Sequence, residues 1–136
     1  QIAVADGQPL PLEQDGIRPR GAAVEFRLYA EDPETYYPSP GTIEAWACPD
    51  IEGVRVDTGY AAGSPVPPFY DPMIAKVIVH APDRTAVLQK ARRFFTGMTI
   101  RGIKTNQALH LKLLSDPRFI AGQYDTSLLN RMAKEK

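Results

Sequence analysis

Two pairs of oppositely charged residues, each spaced two positions apart, are the features of this sequence best suited to chemistry. Glu25 and Arg27 lie in the segment AVEFRLYAED, and Arg55 and Asp57 lie in GVRVDTGY. Residues two apart in a β-strand point to the same face of the sheet. Each pair can therefore be an ordinary ion pair on an exposed sheet, or it can hold a guanidinium toward a ligand. Residue spacing leaves both interpretations open.

Two loop segments are further candidates for a site. The segment PPFYDP places Tyr70 and Asp71 in a run of prolines, which is typical of a rigid loop whose backbone is ordered in advance. The segment GIKTN is typical of a helix start, with Thr105 or Asn106 as the N-cap residue. Neither pattern by itself separates a structural role from a functional one.

The overall composition disfavours several classes of function. Lys plus Arg equals Asp plus Glu at 16 each, so no net charge favours nucleic acid or an anionic membrane surface. The single cysteine, Cys48, and the two histidines, His80 and His110, make a metal site improbable and exclude an internal disulfide. Neither GxxxxGK nor GxGxxG occurs, and no Ser-His-Asp motif surrounds a histidine. We expect no metal site, no nucleic-acid partner and no membrane span.

The hydrophobic pattern predicts strands first and helices afterwards. Val24, Phe26 and Leu28 alternate with Glu25, Arg27 and Tyr29, which predicts a strand with one buried face. Further strands are predicted at 42–48, 54–60 and 73–81, a proline-rich loop at 64–72, a short extended link at 98–103, and helices at 83–97, 104–115 and 125–136. The buried stripes are expected at Ala86, Val87, Lys90, Ala91 and Phe94 and at Leu109, Leu113 and Leu114, with Asp83 capping the first helix and Asp125 or Thr126 the last. This order predicts an α+β fold with an antiparallel β-sheet followed by packed helices, in one domain over 1–136.

Six segments in a fixed order carry a family resemblance. AVEFRLYAEDP, PSPGTI, GVRVDTGY, VPPFYDPMIAK, GIKTN and YDTSLL together resemble the C-terminal domain of biotin carboxylase. In that family the domain is the C-terminal lobe of the ATP-grasp carboxylase unit of acetyl-CoA, propionyl-CoA and pyruvate carboxylases. The resemblance covers nearly the whole chain. It implies that 1–136 is part of a longer chain whose ATP-grasp domains lie upstream.

The resemblance implies a reaction and a place for Arg27 in it. ATP and bicarbonate form carboxyphosphate, whose breakdown supplies carbon dioxide to N1 of biotin. Arg27 matches the arginine that stabilises the enolate-like oxygen of the ureido ring, and Glu25 is expected to orient it. Tyr70 and Asp71 are expected beside biotin, with the Asp71 carboxylate aligning Arg27 or the ring. No metal ligand is expected in this chain.

Four other residues take more peripheral roles by the same resemblance. Arg55 is expected at a homodimer interface, together with Glu52, which replaces a residue that is aromatic in some relatives. Thr126 and Ser127 are expected near the adenine and ribose of the nucleotide, and Ser127 stands where some relatives have histidine.

The resemblance also implies cofactors, partners and a compartment. The complete enzyme is expected to use ATP, Mg and biotin, with most of the ATP and metal ligands outside this chain. Its expected partners are the upstream ATP-grasp domains, a biotin carboxyl carrier domain, a carboxyltransferase that selects the final acceptor, and a second copy of itself. The expected compartment is the cytoplasm, or the mitochondrial matrix.

Two alternative functions compete with this interpretation. The isolated chain could be a noncatalytic folding and dimerisation module, which measurement of ATP hydrolysis would distinguish. A biotin carrier domain is the other, but its biotinylated lysine normally lies in an AMKM hairpin, whereas Lys76 lies in MIAKVIV.

Overall fold

The computed structural model describes residues 1–135 and consists of antiparallel strand pairs and short helices. In chain order the elements are α1 (Ile2–Ala5), β1 (Ala22–Tyr29), β2 (Gly41–Thr42), β3 (Ala45–Ala47), β4 (Val54–Thr58), β5 (Pro65–Val66), β6 (Met73–Ala81), α2 (Arg84–Gly97), β7 (Thr99–Arg101), α3 (Gln107–Leu113), α4 (Pro117–Ala121) and α5 (Leu128–Lys134). This combination confirms the predicted α+β class. No helix among the described residues is both long enough and apolar enough to cross a bilayer.

A three-stranded sheet in the order β1-β6-β4 forms the centre of the fold. The predicted alternation of β1 is confirmed, because Phe26 and Leu28 are buried whereas Glu25 and Arg27 are exposed. The central strand β6 buries Val77 and Val79 on the same side. One face of the sheet therefore belongs to the hydrophobic core and the other is open to solvent.

Helix α2 covers the apolar face of this sheet. Its start is the predicted one, since the Asp83 carboxylate accepts a hydrogen bond of 2.8 Å from the Ala86 amide. Val87, Ala91 and Phe94 are fully buried, as the helical spacing predicts. The buried stripe is displaced toward Leu88 and Phe95, and the predicted members Ala86 and Lys90 are only partly buried.

The strand predicted at 42–48 is divided in two. Residues Gly41–Thr42 pair with β5, whereas Ala45–Ala47 pair with β7. Between them the Ile43 amide donates to the Ser64 carbonyl and the Glu44 amide donates to the Arg101 carbonyl. The chain changes partners at this point, so one apolar run contributes to two small sheets.

The helices after β7 also differ from the predicted boundaries. Helix α3 begins at Gln107 rather than 104, and Asn106 occupies its N-cap position without a capping bond from its side chain. Leu114 is buried as expected, but Leu109 and Leu113 are only partly buried and His110 takes the inward position. Helix α5 begins at Leu128 rather than at 125, because the Asp125 side chain accepts from the Ser127 amide in a turn.

Helix α4 is absent from the sequence-based prediction. The Asp116 carboxylate accepts hydrogen bonds from the Arg118 and Phe119 amides, and Pro117 occupies the first turn, where its missing amide proton costs nothing. Gly122 ends the helix with φ of 72°, a left-handed conformation that glycine adopts readily. These signals specify a helix of one turn and a half.

Candidate functional site

The exposed face of the central sheet carries both charge pairs that the sequence singles out. Arg27 of β1 and Asp57 of β4 lie directly opposite Lys76 of the middle strand, and Glu25 and Arg55 lie opposite its residue 78. Neighbouring strands are about 4.8 Å apart, so β6 separates the two pairs by only about 10 Å. The structure thus brings the two pairs and Lys76 onto one surface.

Arg27 and Glu25 form an ion pair that leaves the guanidinium accessible. Arg27 Nε donates to Glu25 Oε1 at 3.0 Å, and 58% of the Arg27 side chain remains exposed. The hydrogen bond to Glu25, followed by one to Tyr29, raises the pKa of Arg27 above its usual value. Arg27 therefore presents a permanent positive charge to the solvent side of the sheet.

The backbone of Arg27 is held from the open edge of the sheet. The Asn106 side chain donates through Nδ2 to the Arg27 carbonyl at 3.1 Å and accepts through Oδ1 from the Tyr29 amide at 3.0 Å. His110 Nε2 lies 3.0 Å from the same Arg27 carbonyl and donates to it. Burial lowers the pKa of His110, so the imidazole is neutral at neutral pH. Asn106 and His110 are buried, whereas the Arg27 side chain is not.

Arg55 and Asp57 form the second pair on this face. Arg55 donates to both Asp57 oxygens, at 3.0 and 3.1 Å, and its side chain is 71% exposed. Glu52 is also exposed and precedes β4, and its carbonyl accepts a hydrogen bond of 2.7 Å from Lys90. Arg55 and Asp57 thus expose charge on the open face, whereas Glu52 lies at the α2 side of the strand start.

Tyr70 and Asp71 lie at the beginning of β6, beside the end of β1. Tyr70 is 81% exposed. The Asp71 carboxylate accepts from the Met73 amide at 2.8 Å, and within residues 1–135 it makes neither a hydrogen bond nor an ion pair with Arg27. The Asp71 carboxylate thus contacts the backbone at the strand start rather than Arg27, and its expected role in aligning Arg27 or the ring stays a prediction.

Asp71 has a carboxylate neighbour, Glu31. Burial and then the charge of Asp71 raise the pKa of Glu31. The proximity of two carboxylates gives this end of the sheet a negative charge, in contrast to Arg27 and Lys76 further along.

Thr126 and Ser127 lie next to a groove that Arg27 also borders. The groove has a volume of about 330 Å³ and separates the outer edge of β1 from α3 and α5. Tyr124 and Leu129, which flank the 126–127 turn, line one side, and Glu25 and Arg27 line the other. Ser127 donates to Asp125 Oδ1 at 2.6 Å, so its hydroxyl is engaged in the turn.

The acidic residues, histidines and cysteine that the structure describes are too scattered to form a metal site. Within residues 1–135 no group of three or more His, Cys, Asp and Glu side chains could hold a metal ion. Mg²⁺ prefers several oxygen ligands, and the side chains of residues 1–135 form no such cluster. The exposed, charged Arg27 does fit an anionic or polar ligand.

Sequence reasoning missed the roles of Asn106 and His110. Asn106 was expected to cap a helix, and His110 has no motif around it. Their contacts join positions 79 and 83 residues apart, so no local pattern reports them. The available signal was that Asn106 ends GIKTN, one of the six segments of the resemblance, and that His110 follows four residues later.

Comparison with known proteins identifies the family to which this sequence is similar. The family model "Biotin carboxylase C-terminal domain" matches residues 25–131. The chain is 42% identical over 131 residues to Biotin carboxylase 2 of Bacillus subtilis, covering 96% of this chain and 30% of that protein.

Two solved structures share the fold at similar levels. A biotin carboxylase complex from Campylobacter jejuni superposes with a TM-score of 0.89 at 38% identity, over 96% of this chain and 29% of that one. The biotin carboxylase domain dimer of Hydrogenobacter thermophilus 2-oxoglutarate carboxylase was solved with MgADP, ADP and bicarbonate. It superposes with a TM-score of 0.91 at 35% identity, over 96% of this chain and 29% of that one. The chain thus spans about 30% of the length of these relatives. It belongs to the family of biotin carboxylase C-terminal domains.

Proposed function

We propose that this chain is the C-terminal part of a biotin carboxylase and that Arg27 is the residue through which it acts on biotin, a substrate of the reaction. The observation that carries the proposal is the position of Arg27 on the open face of the sheet, charged, accessible and paired with Glu25. We further infer that residues 1–136 act as one domain.

The chemistry of the ureido ring explains why an arginine suits this position. A ureido nitrogen is a very weak acid, so its proton is lost at neutral pH only when the charge that develops on the ring oxygen meets a donor. A donor that is already oriented contributes about a hundredfold to a thousandfold in rate. Arg27 stays charged, and the planar guanidinium fixes the direction of its hydrogen bonds. Glu25 would orient Arg27 in this role.

The remaining site residues receive roles near biotin and the nucleotide. Tyr70 and Asp71 would border biotin from the segment just before β6, with the Asp71 carboxylate aligning Arg27 or the ring. Thr126 and Ser127 would contribute to the periphery of the adenine and ribose pocket, which the groove beside them supports. The ligands for Mg and most of those for ATP would come from the rest of the carboxylase, since the described residues hold no metal cluster.

The proposed partners follow from the family. They are the upstream ATP-grasp domains, a carrier domain that brings biotin, a carboxyltransferase and a second copy of the chain. The dimeric state of the Hydrogenobacter domain supports the last of these. Lys76 lies in the middle of the nine-residue strand β6, which supports a role other than that of a biotinylated carrier lysine. We place the protein in the cytoplasm or the mitochondrial matrix.

The second candidate function is a noncatalytic folding and dimerisation module. The exposed Arg55–Asp57 pair favours it, because the pair presents charge to solvent on the open face, where another protein surface can contact it. We expect chain 1–136 to fold and to show neither bicarbonate-dependent ATP hydrolysis nor biotin carboxylation, whereas the complete carboxylase shows both. If chain 1–136 shows turnover above a blank and keeps it after repurification, the expectation that it is inactive by itself is wrong.

The proposed interface has its own test in Arg55→Glu. The substitution places a negative charge next to Asp57 on a surface that is proposed to pack against its own copy. We expect it to raise the dimer dissociation constant of the complete enzyme by about tenfold or more. Analytical ultracentrifugation across a concentration series would measure it. Arg93→Glu, the same change at an exposed position on α2, is the matched control and should leave the dimer intact. An unchanged dimer in Arg55→Glu would remove Arg55 from the interface.

A further inference from the structure

We propose that Asn106, together with His110, is a positioning residue for Arg27 and fixes the backbone from which its side chain extends, whereas Glu25 orients the guanidinium itself. This inference rests on the proposed role of Arg27 in the reaction with biotin. It assigns a function in catalysis to the segment GIKTN, which the proposed reaction does not otherwise use.

Asn106 binds the outer edge of the central sheet. Strand β1 is an outer strand, so the backbone groups of Arg27 and Tyr29 that point away from β6 have no neighbouring strand. Asn106 takes the place of that strand through three hydrogen bonds. Its Nδ2 donates to the Arg27 carbonyl at 3.1 Å, its Oδ1 accepts from the Tyr29 amide at 3.0 Å, and its own amide donates to the Tyr29 carbonyl at 3.2 Å. A single buried residue thus fixes the β1 backbone from the Arg27 carbonyl to the Tyr29 carbonyl.

Asn106 gives up a local hydrogen bond in order to bind β1. It occupies the N-cap position of α3, where an asparagine side chain ordinarily accepts from a helix amide. Here both of its polar side-chain atoms bind β1 instead, and no side-chain cap bond forms. Helix stability alone does not account for this orientation, whereas the position of the Arg27 backbone does.

His110 adds a second donor to the same carbonyl. Its Nε2 lies 3.0 Å from the Arg27 oxygen, and its ring packs against Phe26 and Phe95 at centroid distances of 5.5 and 4.9 Å. The ring is 8% exposed, so packing holds it in place. Two buried donors that converge on one carbonyl restrict the backbone more than either does alone.

The need for such a device follows from the exposure of Arg27. Its contact with Glu25 is a surface ion pair, which solvent weakens and which restrains a long side chain poorly. Misplacing a catalytic group by about 1 Å can cost about a hundredfold in rate. The backbone that carries Arg27 must therefore be held in place, and Asn106 and His110 hold it through the Arg27 carbonyl.

The test compares Asn106→Ala with Gln107→Ala in the complete carboxylase. Gln107 also ties α3 to the rest of the fold, donating to the Phe95 and Met98 carbonyls at 2.6 and 3.0 Å, but it does not contact β1. Asn106→Ala is expected to lower the ratio of biotin carboxylation to biotin-independent ATP hydrolysis by about tenfold, because only the step that needs Arg27 suffers. Gln107→Ala is expected to lower thermal stability and to leave that ratio unchanged.

A second variant keeps part of the contact. Asn106→Asp keeps the acceptor for the Tyr29 amide, but it replaces the donor to the Arg27 carbonyl with a charged oxygen that repels this carbonyl, so it should lower the same ratio. If Asn106→Ala and Asn106→Asp both behave like Gln107→Ala, with reduced stability and an unchanged ratio, the positioning role is wrong.

A double-mutant comparison separates this inference from the proposed function. In an Arg27→Ala background, Asn106→Ala should change biotin carboxylation by less than about twofold, because residues that act through one another are not additive. An additional tenfold loss in that background would overturn the inference and leave Arg27 in its role. If Arg27→Ala itself has no effect on the wild-type enzyme, the proposed function fails first, and the inference fails with it.

Discussion

Replacing Arg27 with alanine in the complete carboxylase should lower kcat for the carboxylation of free biotin by about a hundredfold or more. The lost group is a charged donor that is accessible on the sheet face and held toward solvent by Glu25. Its contribution is largest where charge develops on the ureido oxygen, so the effect should appear in kcat. The KM for ATP should change little. Steady-state assays with free biotin and with ATP as varied substrates measure both quantities.

Arg27→Lys should recover only part of the rate. An ammonium group keeps the charge, but it lacks the planar set of donors that fixes direction. The lysine variant therefore separates charge from geometry. A full recovery would show that any cation on this face suffices.

Stability and a matched substitution control this experiment. Arg93→Ala removes an exposed arginine from α2, on the opposite side of the sheet, and should leave both rate and melting temperature unchanged. A fall of many degrees in the melting temperature of Arg27→Ala would mean that Arg27 mainly stabilises the sheet. If the variant remains folded and its rate stays within about threefold of wild type, Glu25 and Arg27 are an ordinary surface ion pair, since a true donor contributes far more than that.

The parts of the fold that local rules determine could be predicted from the sequence. Alternation along β1 identifies the buried face because side-chain direction repeats every two residues. The Asp83 cap identifies the start of α2 because the capping bond spans only three residues. The signals for α4, from Asp116 and Pro117 to Gly122, are equally local, and sequence reasoning overlooked them.

Features that depend on distant partners could not be predicted in this way. The division of the 42–48 run follows from Ser64 and Arg101, whose carbonyls accept from successive residues on opposite sides. Asn106 has the sequence context of a helix cap, but β1 is the stronger partner for its side chain. Tertiary contacts therefore override local preference at both places.

The candidate site shows the same limit. Spacing predicts that Glu25 and Arg27 share a face, and the structure shows the ion pair. Spacing does not show that Lys76 lies between Arg27 and Asp57, because strand order is not a local property. Nor does it show that Asp71 is engaged by the Met73 amide rather than by Arg27.

Phe95 lies directly beneath the strand that carries Arg27. Its side chain is fully buried, and its ring packs edge-on against Phe26 and Phe94 at centroid distances of 5.2 and 5.5 Å and against His110 at 4.9 Å. Phe26 in turn occupies the position between Glu25 and Arg27. Phe95 thus joins α2, β1 and α3 at the point where the site is supported.

Phe95→Ala is expected to lower the free energy of unfolding of chain 1–136 by about 3–5 kcal/mol, because it removes a buried ring and leaves a cavity that the surrounding rings fill only in part. Urea unfolding followed by circular dichroism measures the change. Stabilities of single domains are about 5–15 kcal/mol, so the variant should unfold at a much lower urea concentration than the wild type.

The matched control is Phe69→Ala, which removes the same ring from a position that is 83% exposed. It should change the free energy of unfolding by less than about 0.5 kcal/mol, because no apolar surface returns to water and no cavity forms. Phe95→Leu should fall between the two variants, since it retains part of the buried volume. A cost for Phe95→Ala below about 1 kcal/mol would mean that the site collapses around the smaller side chain. The three-way contact of Phe95 with β1, α2 and α3 would then be dispensable for the stability of the sheet that presents Arg27.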